Sequence, residues 1–133
     1  KDSTDPKYIE EPFIAFLNAN LEAGGLDPSI SLLATGYFFA VPWTESLRVA
    51  DALPGGLSRT NLMLAARSID IYHPLMMDGV AYELNGAADA FAIEGSDFSQ
   101  FDATAQTWNQ VGDIVDGNGN SPNCAWDKVN GGC

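Results

Sequence analysis

Positive charge is what this chain has least of: six Lys and Arg stand against 18 Asp and Glu, a net charge of −12 at pH 7. A polyphosphate backbone is bound by a basic patch that releases counterions, and six scattered cations cannot assemble one, so nucleic acid is excluded as a partner. Long apolar runs are missing too. No stretch approaches the ~20 residues needed to span a bilayer, and the opening KDSTDPKY lacks the charged-then-apolar layout of a signal peptide. The expectation is a water-soluble segment that lies past any targeting sequence. The one histidine, His73, precedes Pro74, and no serine sits in a G-x-S-x-G setting, so a nucleophile cannot be paired with a base and a hydrolase is not expected. Cysteine is confined to Cys124 and Cys133. Two thiolates and a distant histidine cannot fill a tetrahedral zinc site, and C-x8-C is not the redox C-x-x-C. A local disulfide, with Gly131 and Gly132 supplying the turn, is the reading, and two free buried thiols are its alternative. Such a bridge would contribute about 2–3 kcal/mol by pinning the tail, and it points to an exported protein.

What is present is enough for a core: 133 residues, 46% of them hydrophobic, fit one globular domain. Apolar side chains at Phe13, Ile14, Leu17 and Leu21 recur at helical spacing until Gly24-Gly25, which predicts a first helix over 9–23. After the Asp27-Pro28-Ser29 turn, a second helix is expected from Tyr37. Phe38, Val41, Leu47, Ala50 and Leu53 would share one side of it, Glu45, Arg48 and Asp51 would be exposed, and Pro54-Gly55-Gly56 would stop it. Pro42 is tolerable in its first turns. Ser58 to Asn61 offer caps for a third helix running to Ile69.

Beyond Asp70 the period changes. The pieces 80–84, 90–94 and 108–115 read as strands between Asn-Gly and Asp-Gly turns. The chain therefore divides into a helical part, 8–70, and a strand-and-loop tail, 71–133, an α/β segment in which the strands are too few for the helices to cover. On that imbalance the chain is expected to be incomplete by itself and to self-associate through uncovered apolar faces.

Carboxylate pairs such as Glu94 with Asp97 or Asp113 with Asp116 are common in so acidic a chain and do not specify acid–base chemistry. Asp116-Gly-Asn118-Gly-Asn120, with Asp127 further on, imitates a calcium loop. It departs from one in having Ser121 at the glycine position and aspartate in place of the bidentate glutamate, so a turn rich in residues that tolerate positive φ is the other reading. No cofactor and no metal are expected. Tyr37, Phe38, Phe39 and Trp43 are aromatics at helical spacing, suited either to a core or to a ligand cleft. Tyr37, near a helix start with free N–H groups, suits both.

The ordered series PFIAFLNANLEAGGLDPS, ISLLATGY, FFAVPWTESLRVADAL and GGLSRTNLMLAAR, followed by DGVAYELNGAADAFAIEGSDFSQFDA and the terminal Cys124/Cys133 pair, resembles the C-terminal part of type I periplasmic-binding-protein-like receptors. These are the extracellular solute-binding proteins of branched-chain amino-acid ABC importers, and the likeness extends over nearly all of the chain. It implies a partial type I periplasmic-binding fold, the last third of a two-lobed receptor in which parallel sheets flanked by helices close on a small ligand. It further implies an amino acid or similar polar solute, an ABC permease as partner, an exported location and no catalysis. In the family the piece equivalent to 31–37 approaches the cleft. Leu32 is therefore the expected apolar ligand contact, with Ala34, Thr35 and Tyr37 behind it. A ligand-sensing receptor or interaction module of the same ancestry, not linked to transport, is the alternative.

Overall fold

The computed structural model describes residues 1–86 and 89–118. It is a small mixed helix/strand domain in which three helices precede short antiparallel ladders. Helix α1, Pro12–Ala23, opens on proline, whose missing N–H costs nothing in the first turn. It closes in a Schellman motif: Leu26 N–H donates to Leu21 O at 2.8 Å and Gly25 N–H to Glu22 O at 2.9 Å, with Gly25 at φ 75° where other residues would be strained. Its inward residues, Ile14, Leu17 and Leu21, form the core with Ala34 and Leu75, flanked by half-buried Tyr8, Phe13, Leu33, Tyr37 and Phe38. Ile14 and Leu17 are the largest side chains fully out of solvent.

Helix α2, Ala34–Ala52, begins three residues earlier than the sequence suggests, because a 3-10 turn over Ser31–Leu33 runs straight into it through Leu33 in helical geometry. Its buried stripe also differs from expectation. Pro42, Ser46 and Ala50, at four-residue spacing, face inward, whereas Val41, Leu47 and Leu53 are only half-buried. Small residues let α3, Arg59–Ala66, approach closely with its own buried Asn61 and Ala65. Ser58 caps α3 as expected, its hydroxyl accepting the Asn61 N–H at 3.2 Å. The Asn61 amide then donates to Pro54 O at 3.1 Å and Gly56 O at 2.8 Å, tying the loop between the helices to the helix that follows it.

Strands β1, Asp70–Ile71, and β2, Tyr82–Glu83, pair antiparallel. In the tail, β3 (Gly95–Ser96) pairs with β6 (Val115–Asp116) outside the β4–β5 hairpin, Ser99–Asp102 with Thr107–Gln110. The outer ladder is out of register with the inner one by two residues, because 111–114 supplies four residues where 97–98 supplies two. There Gly112, at φ 84°, and the bond from Val111 N–H to Phe98 O at 2.7 Å break the expected strand 108–115 in two. The expected strand 90–94 does not form. The Asp89 carboxylate takes the Phe91 N–H at 3.0 Å, a local turn that competes with the ladder, and only Ala92 O reaches β2, accepting from Glu83 N–H at 3.1 Å. Gly95 is required by close approach, since a Cβ there would lie 2.5 Å from a Val80 methyl.

All three ladders among the described residues are antiparallel, and the parallel sheet implied by the resemblance is not among them. The Cys124–Cys133 pairing and the tail it was expected to close lie outside the described residues. No helix among the described residues is long and apolar enough to cross a membrane.

Candidate functional site

The four residues expected at a ligand cleft occupy different surroundings. Leu32, on the 3-10 turn, is 75% exposed, whereas Ala34 two positions on is buried in the core beside Leu17. Ala34 and Thr35 line a hollow of about 590 Å³ with Ser31, Phe38, Ser3 and Leu75. Tyr37 lines a different one, about 340 Å³, with Phe13, Val41 and Tyr72. Leu32 contributes to the wall of neither. Because the 3-10 turn extends the helical path, the free N–H end lies at Ser31 rather than at Tyr37. Lys1 also lines the larger hollow, its Nζ 2.9 Å from Glu11 and 3.3 Å from Asp78. Burial opposes that charge, but the two carboxylates outweigh it and hold the Lys1 pKa above its usual value.

His73, which the sequence offered only as an unpaired base and a distant zinc ligand, has a structural role instead. Proline at position 42 has no N–H, so the carbonyl of Phe38, four residues earlier in α2, lacks its helical partner. His73 supplies a substitute: its Nε2 lies 2.9 Å from Phe38 O, and Leu75 N–H donates to its Nδ1 at 3.2 Å. With Nδ1 accepting, Nε2 carries the proton and donates to the carbonyl, which defines a neutral ring. The ring is 2% exposed, stacked on Tyr82 at 5.6 Å and 22° and tilted against Phe38 at 4.4 Å. A helix interruption is thus repaired by a side chain 35 residues away. The signal in the sequence was the pairing of one intra-helical proline with one histidine of an otherwise apolar segment.

Burial of His73 pushes its pKa down. The Phe38 carbonyl pulls it the other way, and the positive amino terminus of Lys1 adds to the fall. A folded pKa below the ordinary 6.5 means that the unfolded chain binds the proton more readily. The contribution of the neutral ring is therefore complete above that value and is lost as the pH falls through the lower folded pKa. The melting temperature is expected to drop between about pH 7.5 and about pH 5.5, and to drop less in His73→Gln, which has no titrating ring. Equal slopes in the two proteins, followed by circular dichroism, would show that His73 does not titrate in that window.

Both ring nitrogens of His73 are committed, so in this arrangement it offers no free base to a hydroxyl. Among the described residues no three His, Cys, Asp or Glu side chains converge as a metal site. Asp116, the first position of the calcium-like loop, is on β6 with its carboxylate already engaged, accepting Ala81 N–H and Asn118 N–H, each at 3.0 Å. The later positions of that loop, from 119 on, lie outside the described residues. No protein-family model matches the chain, and no curated protein or solved structure matches it either.

Proposed function

We propose that this chain is the C-terminal part of an extracellular solute-binding component of an ABC importer, with a partial type I periplasmic-binding fold. The complete receptor holds an amino acid or similar small polar ligand by closing two lobes around it, and delivers it to a permease without covalent chemistry. The observation that carries this reading is the ordered series of receptor-like segments along the chain, from PFIAFLNANLEAGGLDPS to DGVAYELNGAADAFAIEGSDFSQFDA. A second observation supports it. Leu26, Ile30, Leu57, Met63 and Leu64 are all at least half exposed around a core with few large buried side chains, an arrangement that suits a lobe covered by more protein.

Titration calorimetry of the complete receptor against amino acids, peptides and small organic acids is expected to give one-to-one binding of one class, with the ligand recovered unchanged. Turnover of any ligand would overturn the reading. The 133-residue chain alone is expected to self-associate in light scattering, and a clean monomer with a high melting temperature would count against it.

A further inference from the structure

Beside the His73 stack lies a hollow that the proposed cleft does not use. It measures about 370 Å³, and its wall carries three aromatic rings, Phe39, Trp43 and Tyr82, with Pro42, Ile69 and Leu84 filling in between. We propose that it binds a quaternary ammonium group, the head of a choline- or betaine-like solute. The site shares Phe39 with the hollow of Ala34 and Thr35 but is lined by none of Leu32, Ala34, Thr35 and Tyr37, and it stands whether or not the chain belongs to an importer.

Three features select this chemistry. The first is the rings themselves, whose negative faces attract a cation without forming hydrogen bonds. The second is what else lines the wall. It contains no charged side chain, and the proton of its serine hydroxyl, on Ser46, is given to Pro42 O at 2.8 Å. A primary ammonium needs acceptors for three N–H groups, and among the side chains of this wall it would find only the hydroxyl oxygens of Ser46 and Tyr82, so its lost hydration would not be made good. A quaternary ammonium carries no N–H and has no such requirement. An anion is disfavoured by the ring faces and by the chain's net charge of −12, which favours a cation instead.

The third feature is that two of the three rings already pack against other aromatic side chains before any ligand arrives. Tyr82 stacks on His73, which is itself fixed by Phe38 O and Leu75 N–H. Phe39 meets Phe38 edge-on at 5.7 Å and 88°, and Trp43 follows Phe39 by one helical turn on α2. Leu84 N–H donates to Ile69 O at 2.7 Å, which joins the two aliphatic walls. Such preorganisation lowers the ordering cost of binding. Proline at position 42 acts twice: its ring is part of the wall, and the donor it removes from α2 brings His73 behind Tyr82.

The test is calorimetric titration of the full chain with choline and with 3,3-dimethylbutan-1-ol, its uncharged isostere, with melting curves recorded in parallel. Choline is expected to bind saturably and at least about tenfold more tightly than the isostere. Trp43→Leu keeps apolar bulk but removes the ring. Trp43 is 55% exposed, so this variant is expected to melt like the wild type while losing about tenfold in choline affinity. Tyr82→Phe keeps the ring face and is expected to keep the affinity. Equal binding of choline and the isostere, undiminished choline binding in Trp43→Leu, or no binding of choline at all would each overturn the proposal.

Discussion

Replacing His73 with alanine is expected to destabilise the chain by about 2–4 kcal/mol in urea unfolding followed by circular dichroism. The change strands two buried backbone groups at once, the Phe38 carbonyl and the Leu75 N–H, and it removes the ring that packs against both Phe38 and Tyr82. A loss of packing alone would give a similar number, and a second substitution separates the two causes. Pro42→Ala returns an N–H to the position that faces Phe38 O. In that background the histidine should matter less, by about 1 kcal/mol or more, because the carbonyl regains a helical partner. If the two substitutions add without coupling, His73 is not there to satisfy that carbonyl.

The second large effect is expected at Leu17. It is fully buried among Ile14, Leu21, Ala34 and Leu75, so Leu17→Ala removes apolar contacts and leaves a cavity that so small a core cannot close, at a cost of about 2–5 kcal/mol. Leu32→Ala is the matched control. The same chemical change at a residue 75% exposed is expected to stay within about 0.5 kcal/mol. It is also informative about function: if Leu32 contacts the solute in the complete receptor, the variant loses ligand affinity while melting as before. A stability loss at Leu32 comparable with that at Leu17 would mean that the 3-10 turn packs against something that the described residues do not provide.

The candidate site was only partly legible in the sequence. The spacing of Ile14, Leu17 and Leu21 located the buried face of α1 because a single helix reports its own amphipathic face. On α2 it located Ala50 but missed Pro42 and Ser46, where aromatic and branched residues drew attention and small ones are buried, because close approach of α3 rewards small side chains. The grouping of Leu32, Ala34, Thr35 and Tyr37 rested on the resemblance, which puts the piece 31–37 beside a cleft, and along a helical path such neighbours point to different sides. Two of the four share one hollow, a third lines another, and Leu32 stands clear of both.

By itself the sequence determined what depends on composition and on neighbours within a turn or two: the net charge of −12, the three helices and their order, the Ser58 cap and the glycine stop after α1. Local propensity, capping and periodicity act over those distances, so they can be read along a chain. Only the tertiary structure decided that the orphan carbonyl created by Pro42 is answered by His73, that 95–116 folds as nested antiparallel ladders with a two-residue slip, and that Phe39, Trp43 and Tyr82 wall one hollow. Each of these depends on groups tens of residues apart meeting in space. Which of them meet is settled by the packing of the whole domain, which no local window contains.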